Sequence, residues 1–175
     1  EVSSKLGCRR NVHGVGGEFV LNGEALDVQK VGVGDTVLDA SRYTLTDNTL
    51  TIHAPLPDEF VLQTVVRIQP DKNTQLSGLY RSRDGYFTQC EAEGFRRITF
   101  FPDRPDVMAR YTCTIEADRE RFPQLLSNGN RVAEGTVEGE AGDGRHWARW
   151  EDPFAKPCYL FALVAARLEV LEEVY

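Results

Sequence analysis

Apolar and polar residues alternate one by one along two long stretches of the chain. From Phe60 to Ile68 every second residue is apolar or small, and the stretch from Arg110 to Ala117 repeats this pattern. Successive side chains of an extended strand point to opposite faces of a sheet. Both stretches are therefore predicted to be β-strands with one face buried in a hydrophobic core.

Turn residues between shorter alternating segments predict hairpins. Residues 43–46 and 49–52 alternate on either side of Asp47-Asn48, which indicates one β-hairpin. A second hairpin is expected where Leu125-Leu126 leads through Asn128-Gly129 into a strand over 132–138, because an Asn-Gly step tolerates positive φ.

Two further segments near the end of the chain favour strands. Residues 146–150 alternate again, and Tyr159 to Ala166 is a continuous apolar run, which is typical of a strand buried on both faces. The Gly-rich residues 1–18 are patterned only weakly, so we expect a frayed or irregular strand there.

Helical periodicity is nearly absent. Asp103 to Ala109 is one candidate for a helical turn, with Asp103 as N-cap and Pro105 just inside, and Leu168 to Tyr175 is the other. Short strands separated by turn signals predict an all-β fold of twisted antiparallel sheets, sandwich-like and with little helix.

Length and charge narrow the class of protein. The 175 residues fit one β domain over 1–175, and 20 Lys and Arg against 27 Asp and Glu give a net charge of −7. Binding to nucleic acid requires clustered positive charge, which this chain lacks, and its apolar runs are too short to span a bilayer. We therefore expect neither a nucleic-acid partner nor a membrane role.

The cysteines indicate the cellular compartment, and the first residues indicate whether the chain is part of a longer protein. Cys8, Cys90, Cys113 and Cys158 are far apart and form no CxxC pair, which favours thiols in a reducing compartment and hence the cytoplasm. The chain opens with Glu1-Val2, without an initiator Met or a signal pattern. It is expected to be a piece of a longer protein.

The usual catalytic motifs are missing from the sequence. The three histidines are tens of residues apart with no HExxH, so a zinc site is not expected, and no Gly-x-Ser-x-Gly elbow or phosphate-binding loop occurs. A Cys90–His nucleophile pair is open in principle, but a packed structural thiol is the favoured interpretation of Cys90.

Acids, an amide and two arginines crowd together in the segment Thr88 to Arg97. In an extended strand Gln89, Glu91 and Glu93 would share one face and could receive a cation. The alternative is a set of solvated surface ion pairs with the arginines. The segment is the strongest candidate for a functional site.

This segment is one of several motifs that occur in one continuous order. The others are Leu21-Asn22-Gly23-Glu24, Gly78-Leu79-Tyr80, Asp103-Arg104-Pro105-Asp106-Val107, Leu125 to Asn130, Trp150 to Phe154 and Lys156 to Ala165. In this series the chain resembles the N-terminal domain of the aminopeptidase N type zinc metallopeptidases, in their bacterial and plant-like branch.

The resemblance implies a saddle-like all-β domain that packs on a separate catalytic domain. In the family that domain binds zinc through HExxH and a downstream Glu, and a Gly-x-Met-Glu-Asn motif binds the substrate amine; neither motif occurs in this sequence. The chain is then an N-terminal fragment that lacks the family's first strands and its catalytic domain. It is expected to contain no catalytic residues, metal or cofactor of its own and to be inactive alone.

The resemblance also assigns site residues. The family's Gln-x-Glu pair falls on Gln89 and Glu91, which would bind the free N-terminal amine of a peptide substrate. Glu93, Arg96 and Asp103 are interpreted as structural ion pairs or interdomain contacts.

Three interpretations follow from these observations. The leading one is the substrate-anchoring domain of a zinc metalloaminopeptidase that removes N-terminal residues from peptides. The first alternative is a stand-alone β-sandwich that binds a protein or glycan, and the second is a family member with another activity, such as epoxide hydrolysis.

Trp147 and Trp150 are expected to cap the sheet rather than to bind a ligand.

Overall fold

A computed structural model describes residues 1–11, 18–139, 144–171 and 173 of the chain. These residues form antiparallel β-sheets joined by turns and short 3₁₀ segments, so the predicted all-β fold is confirmed. They divide into two compact units: unit 1 contains Glu1–Gln69 and Glu93–Arg104, and unit 2 contains Pro70–Ala92 and Pro105–Tyr175. In the part of the chain that the structure describes, no helix is long and apolar enough to cross a membrane.

Unit 1 contains two antiparallel sheets, with strand orders β1-β7-β3-β4 and β2-β6-β5. Their bounds are Val2–Arg9 (β1), Phe19–Asn22 (β2), Asp27–Val33 (β3), Thr36–Val37 (β4), Tyr43–Leu45 (β5), Thr49–Ile52 (β6) and Glu59–Arg67 (β7). The predicted hairpin is confirmed as β5 and β6, which pair through Leu45 and Leu50.

A hydrophobic core fills unit 1. Its buried members come from both sheets and from one loop residue: Leu21, Val31, Leu50, Ile52, Leu62, Val66 and Phe100. The alternation in β7 places Leu62, Thr64 and Val66 inside while Val61 and Arg67 face outward. The period of two therefore identified the buried face of this strand correctly.

Unit 2 also contains two antiparallel sheets, with strand orders β11-β14-β9-β8 and β10-β13-β12. Their bounds are Gly78–Ser82 (β8), Gly85–Gln89 (β9), Met108–Asp118 (β10), Gln124–Ser127 (β11), Asn130–Thr136 (β12), Arg145–Pro157 (β13) and Leu163–Ala166 (β14). Its own core consists of Ile115, Phe122, Leu125, Ala148 and Ala165. The predicted strand over 110–117 is confirmed within β10.

The hairpin expected through Asn128-Gly129 is wrong. Strand β11 pairs with β14, whereas β12 pairs with β13, so the turn carries the chain from one sheet of unit 2 to the other. Gly129 has a φ of +84°, and a Cβ there would lie 2.1 Å from the backbone oxygen of Glu151. The positive φ was predicted correctly, but the strands on either side of the turn do not pair with each other.

Four other expectations fail in detail. The apolar run from Tyr159 forms a strand only over Leu163–Ala166, because Cys158–Leu160 is a 3₁₀ turn. Residues 103–109 form a turn and the start of β10 rather than a helix, and the described residues after 167 are not helical. The opening segment is more regular than expected, since all eight residues of β1 pair with β7; residues 12–17 lie outside the described residues.

The four cysteines, all of which the structure describes, are thiols rather than disulfides. Cys90 and Cys158 are buried. Burial raises the pKa of the Cys8 thiol to about 11 and also raises the pKa of Cys113. Since the thiolate is the nucleophilic form of cysteine, these shifts lower the nucleophilicity of Cys8 and Cys113 relative to an exposed thiol.

Candidate functional site

Strand β9 ends at Gln89 and leads directly into a turn. Cys90 is 3% exposed and anchors this point of the chain, while Gln89 and Glu91 on either side of it are exposed. Residues 91–94 form the turn. The expectation that Gln89, Glu91 and Glu93 share one face of an extended strand is therefore wrong, because the strand stops at the first of them.

The structure nevertheless brings Gln89 and Glu91 together. The Gln89 side-chain amide nitrogen Nε2 donates to the backbone oxygen of Glu91 over 3.2 Å. Among the described residues, the Glu91 carboxylate has no hydrogen-bond or ion-pair partner. A carboxylate with both oxygens available can accept hydrogen bonds from a cationic donor, and such bonds are about twice as strong as neutral ones.

A tyrosine hydroxyl links strand β9 to a carboxylate outside the strand. The Tyr86 hydroxyl donates to the two Asp71 carboxylate oxygens over 2.9 and 3.0 Å, and Arg81 forms an ion pair with the same carboxylate. Burial of the Tyr86 side chain raises its pKa, and the hydrogen bond to Asp71 raises it further. Asp71 thus connects the strand to the turn that precedes β8.

Arg96 is the centre of a separate ion-pair cluster in unit 1. Its Nε lies 3.0 Å from Asp103 Oδ2, and its Nη1 lies 3.3 Å from Glu93 Oε2. The Asp103 side chain is 1% exposed and also accepts from the Arg96 backbone nitrogen over 3.1 Å. Glu93, Arg96 and Asp103 thus form ion pairs, which is one of the two interpretations drawn for them from the sequence.

The Asn22-to-Glu24 motif belongs to the same cluster, which the sequence reasoning did not foresee. Asn22 Oδ1 accepts from the Asp103 backbone nitrogen over 3.1 Å, and Glu24 forms an ion pair with Arg97. A Cβ on Gly23 would lie 2.2 Å from the Phe100 ring. In the sequence, the only indication that these residues are connected was that both motifs belong to the same series.

The motif around β13 is also structural. Trp150 Nε1 donates to the Leu125 backbone oxygen over 3.0 Å. Lys156 Nζ lies 2.7 Å from Asp152 Oδ2 and 4.0 Å from the centroid of the Tyr111 ring. The hydrogen bond from Lys156 lowers the pKa of Asp152, as does one from the Phe154 backbone nitrogen.

The described residues offer no group of ligands for a metal ion. Within the described ranges, no three His, Cys, Asp or Glu side chains lie together as a metal site. His146 contacts the Phe122 backbone oxygen over 2.9 Å, and His53 contacts Thr44 Oγ1 over 2.7 Å. Both rings therefore have structural partners, and His13 lies outside the described residues.

The fold of this chain matches part of a solved aminopeptidase. The chain superimposes on Legionella pneumophila aminopeptidase A, solved in complex with aspartic acid, with a TM-score of 0.88, 34% identity and coverage of 95% of this chain and 19% of that one. The model of the Peptidase M1 N-terminal domain matches residues 15–160. The chain belongs to this family.

A further relative and a further solved structure are also similar to this chain. Aminopeptidase N of Caulobacter vibrioides is 52% identical over 174 residues, which are 99% of this chain and 19% of the relative. An M1 zinc metallopeptidase of Deinococcus radiodurans, solved as a variant with a Tyr-Ser-Ala substrate, shares the fold at a TM-score of 0.71 and 16% identity, over 87% of this chain and 35% of that one.

These comparisons confirm the resemblance that the motif series indicated. The chain corresponds to the N-terminal domain of aminopeptidase N and spans about a fifth of the length of that relative. The assignment of Gln89 and Glu91 to substrate binding stays a prediction.

Proposed function

We propose that this chain is the substrate-anchoring domain of a zinc-dependent aminopeptidase and that Glu91 binds the free N-terminal ammonium group of a peptide. One observation carries the proposal: in a chain of the M1 family, the turn after β9 presents an exposed carboxylate that has no partner among the described residues. Gln89 stabilises the turn by donating to the backbone of Glu91.

The chemistry of the two groups is complementary. An ammonium group carries three hydrogen-bond donors and a full positive charge, and each charge-assisted bond to a carboxylate contributes about 1.5–3 kcal/mol. An internal peptide bond offers a neutral amide instead, which leaves the carboxylate without a cation. Glu91 therefore selects chain ends over internal bonds and sets the distance from the amine to the bond that is cleaved.

The remaining machinery belongs to other parts of the enzyme. A catalytic domain bearing zinc is the partner of this domain, and zinc there supplies Lewis-acid activation of the hydrolysis. This chain alone is catalytically silent. The stand-alone binding module is disfavoured because the aminopeptidase relatives are about five times longer than this chain. Thiols in place of disulfides agree with a cytoplasmic enzyme.

Glu91→Ala in the full-length aminopeptidase is expected to lower kcat/KM for free-amine substrates about 10- to 100-fold, chiefly by raising KM, because about 1.5–3 kcal/mol of binding is lost. Steady-state kinetics on aminoacyl chromogenic substrates measures the change. Glu138→Ala, which removes another exposed acid of unit 2, is the matched control and should leave both constants within about twofold. Equal kinetics for the two variants would show that Glu91 is an ordinary surface acid.

A further inference from the structure

Thr88 connects the end of β9 to the neighbouring strand through its side chain. The backbone register of β9 and β14 includes Tyr86 with Ala165 and Phe87 with Val164, and stops there. At the next position the Thr88 hydroxyl accepts from the Leu163 backbone nitrogen over 2.8 Å and donates to the Leu163 backbone oxygen over 3.3 Å. One hydroxyl thus bonds both backbone groups of the opposite residue.

The segment that receives these bonds is itself fixed. Asn128 Oδ1 accepts from the Ala162 backbone nitrogen over 2.7 Å, and its Nδ2 donates to the Leu160 backbone oxygen over 3.1 Å. The Ser127 hydroxyl donates to the Ala162 backbone oxygen over 2.7 Å. Residues 160–163 are therefore bound on one side by Ser127 and Asn128, at the end of β11, and on the other by Thr88.

Thr88 is the last residue of β9 that bonds β14 before the exposed turn. Gln89 follows it and still pairs with Gly78 of β8, and Glu91 lies two residues further on. Without the hydroxyl, the end of β9 would be fixed to β8 alone. A carboxylate on a loosely held turn samples many positions, and binding then costs the entropy of ordering it.

We propose that Thr88 is a positioning residue for the substrate amine: its hydroxyl, through Leu163, fixes the base of the turn from which Glu91 reaches the ammonium group. This inference rests on the proposed function of Glu91. Its consequence is specific, because loss of the hydroxyl weakens binding of the free amine without altering the chemical step.

The test uses Thr88→Val, which keeps the shape of threonine but removes the hydroxyl, in the full-length aminopeptidase. KM for free-amine substrates is expected to rise about 3- to 10-fold with kcat within about twofold, because the turn that carries Glu91 must then be ordered when the amine binds. Thr88→Ser restores the hydroxyl and should restore KM. Thr112→Val, on an exposed position of β10, is the control for a threonine-to-valine change and should leave KM unchanged.

A double variant separates positioning from general stability. In a Glu91→Ala background Thr88→Val should change KM less than twofold, because the group it positions is gone. The inference would be overturned if the effects of Thr88→Val and Glu91→Ala on KM multiplied in the double variant. It would also be overturned by an unchanged KM in Thr88→Val or by a raised KM in Thr88→Ser. If Thr88→Val does not accumulate as folded enzyme, Thr88→Ala and Thr88→Ser give the same comparison.

The same KM measurements separate a failure of this inference from a failure of the proposed function of Glu91. If Glu91→Ala alone leaves KM unchanged, the proposed function fails. If Glu91→Ala raises KM and Thr88→Val does not, the amine site stands and Thr88 is only a structural residue.

Discussion

Replacing Asp103 by alanine is expected to lower the free energy of unfolding by about 3–5 kcal/mol, the usual cost of breaking a buried ion pair from one side. The Asp103 carboxylate is 1% exposed and accepts from both the side chain and the backbone nitrogen of Arg96, whose own side chain is 18% exposed. Its removal leaves a largely buried guanidinium without this partner. The pair also anchors the 3₁₀ turn Phe95–Arg97.

Urea unfolding followed by far-ultraviolet circular dichroism measures this loss. Asp58→Ala is the matched control in unit 1, because Asp58 forms an ion pair with Arg10 over a similar 3.1 Å but is 88% exposed. The control should cost no more than about 1 kcal/mol. If the two variants were equally stable, the burial of Asp103 would contribute nothing, and the cluster around Arg96 would not be an important element of unit 1.

Gly129→Ala is expected to destabilise unit 2 by at least about 3 kcal/mol, for two reasons that add. A left-handed backbone costs a residue with a Cβ about 1–2 kcal/mol, and the φ of Gly129 is +84°. In addition, the new Cβ would lie 2.1 Å from the Glu151 oxygen and 2.6 Å from the Asp152 Cα, both of them backbone atoms. The turn and β13 would have to move apart.

Gly144→Ala separates the two contributions. Gly144 also lies in unit 2 with a positive φ of +75°, but nothing lies within 4 Å of its Cβ position, so only the backbone cost of about 1–2 kcal/mol is expected. Trp147 and Trp150 both lie in unit 2, and their fluorescence during urea unfolding reports on this unit. Equal losses in the two variants would contradict the account of the sheet-to-sheet turn.

Strands with one buried face could be predicted from the sequence because burial imposes a period of two on the residues themselves. Strand β7 shows this clearly: Leu62, Thr64 and Val66 are buried where the pattern placed them. The partners of a strand leave no comparable local signal. Asn128-Gly129 has the composition of a hairpin turn, yet the strands it joins pair in different sheets, because Ser127 and Asn128 bond residues more than 30 positions away.

The helix expected at Asp103 fails for a related reason. A carboxylate before a proline is typical of an N-cap, but this one accepts from Arg96, seven residues earlier, and is almost completely buried. For the candidate site, the sequence indicated the segment but not its conformation: Gln89 ends β9 and Glu91 lies in the turn that follows, so the two do not share a strand face. Their role in substrate binding stays a prediction. The role of Thr88 had no signal, because it depends on the position of Leu163, 75 residues further along the chain.

The most direct test of the central claim measures how strongly Glu91 is coupled to the substrate amine. In the full-length protein, inhibition constants are compared for leucinamide and for its analogue without the amine, in the wild type and in Glu91→Gln. We expect the variant to lose at least tenfold of the preference for the amine, with the affinity for the analogue unchanged, since a charge-assisted bond contributes about 1.5–3 kcal/mol. An equal preference in both enzymes would contradict the assignment of Glu91 as the amine anchor.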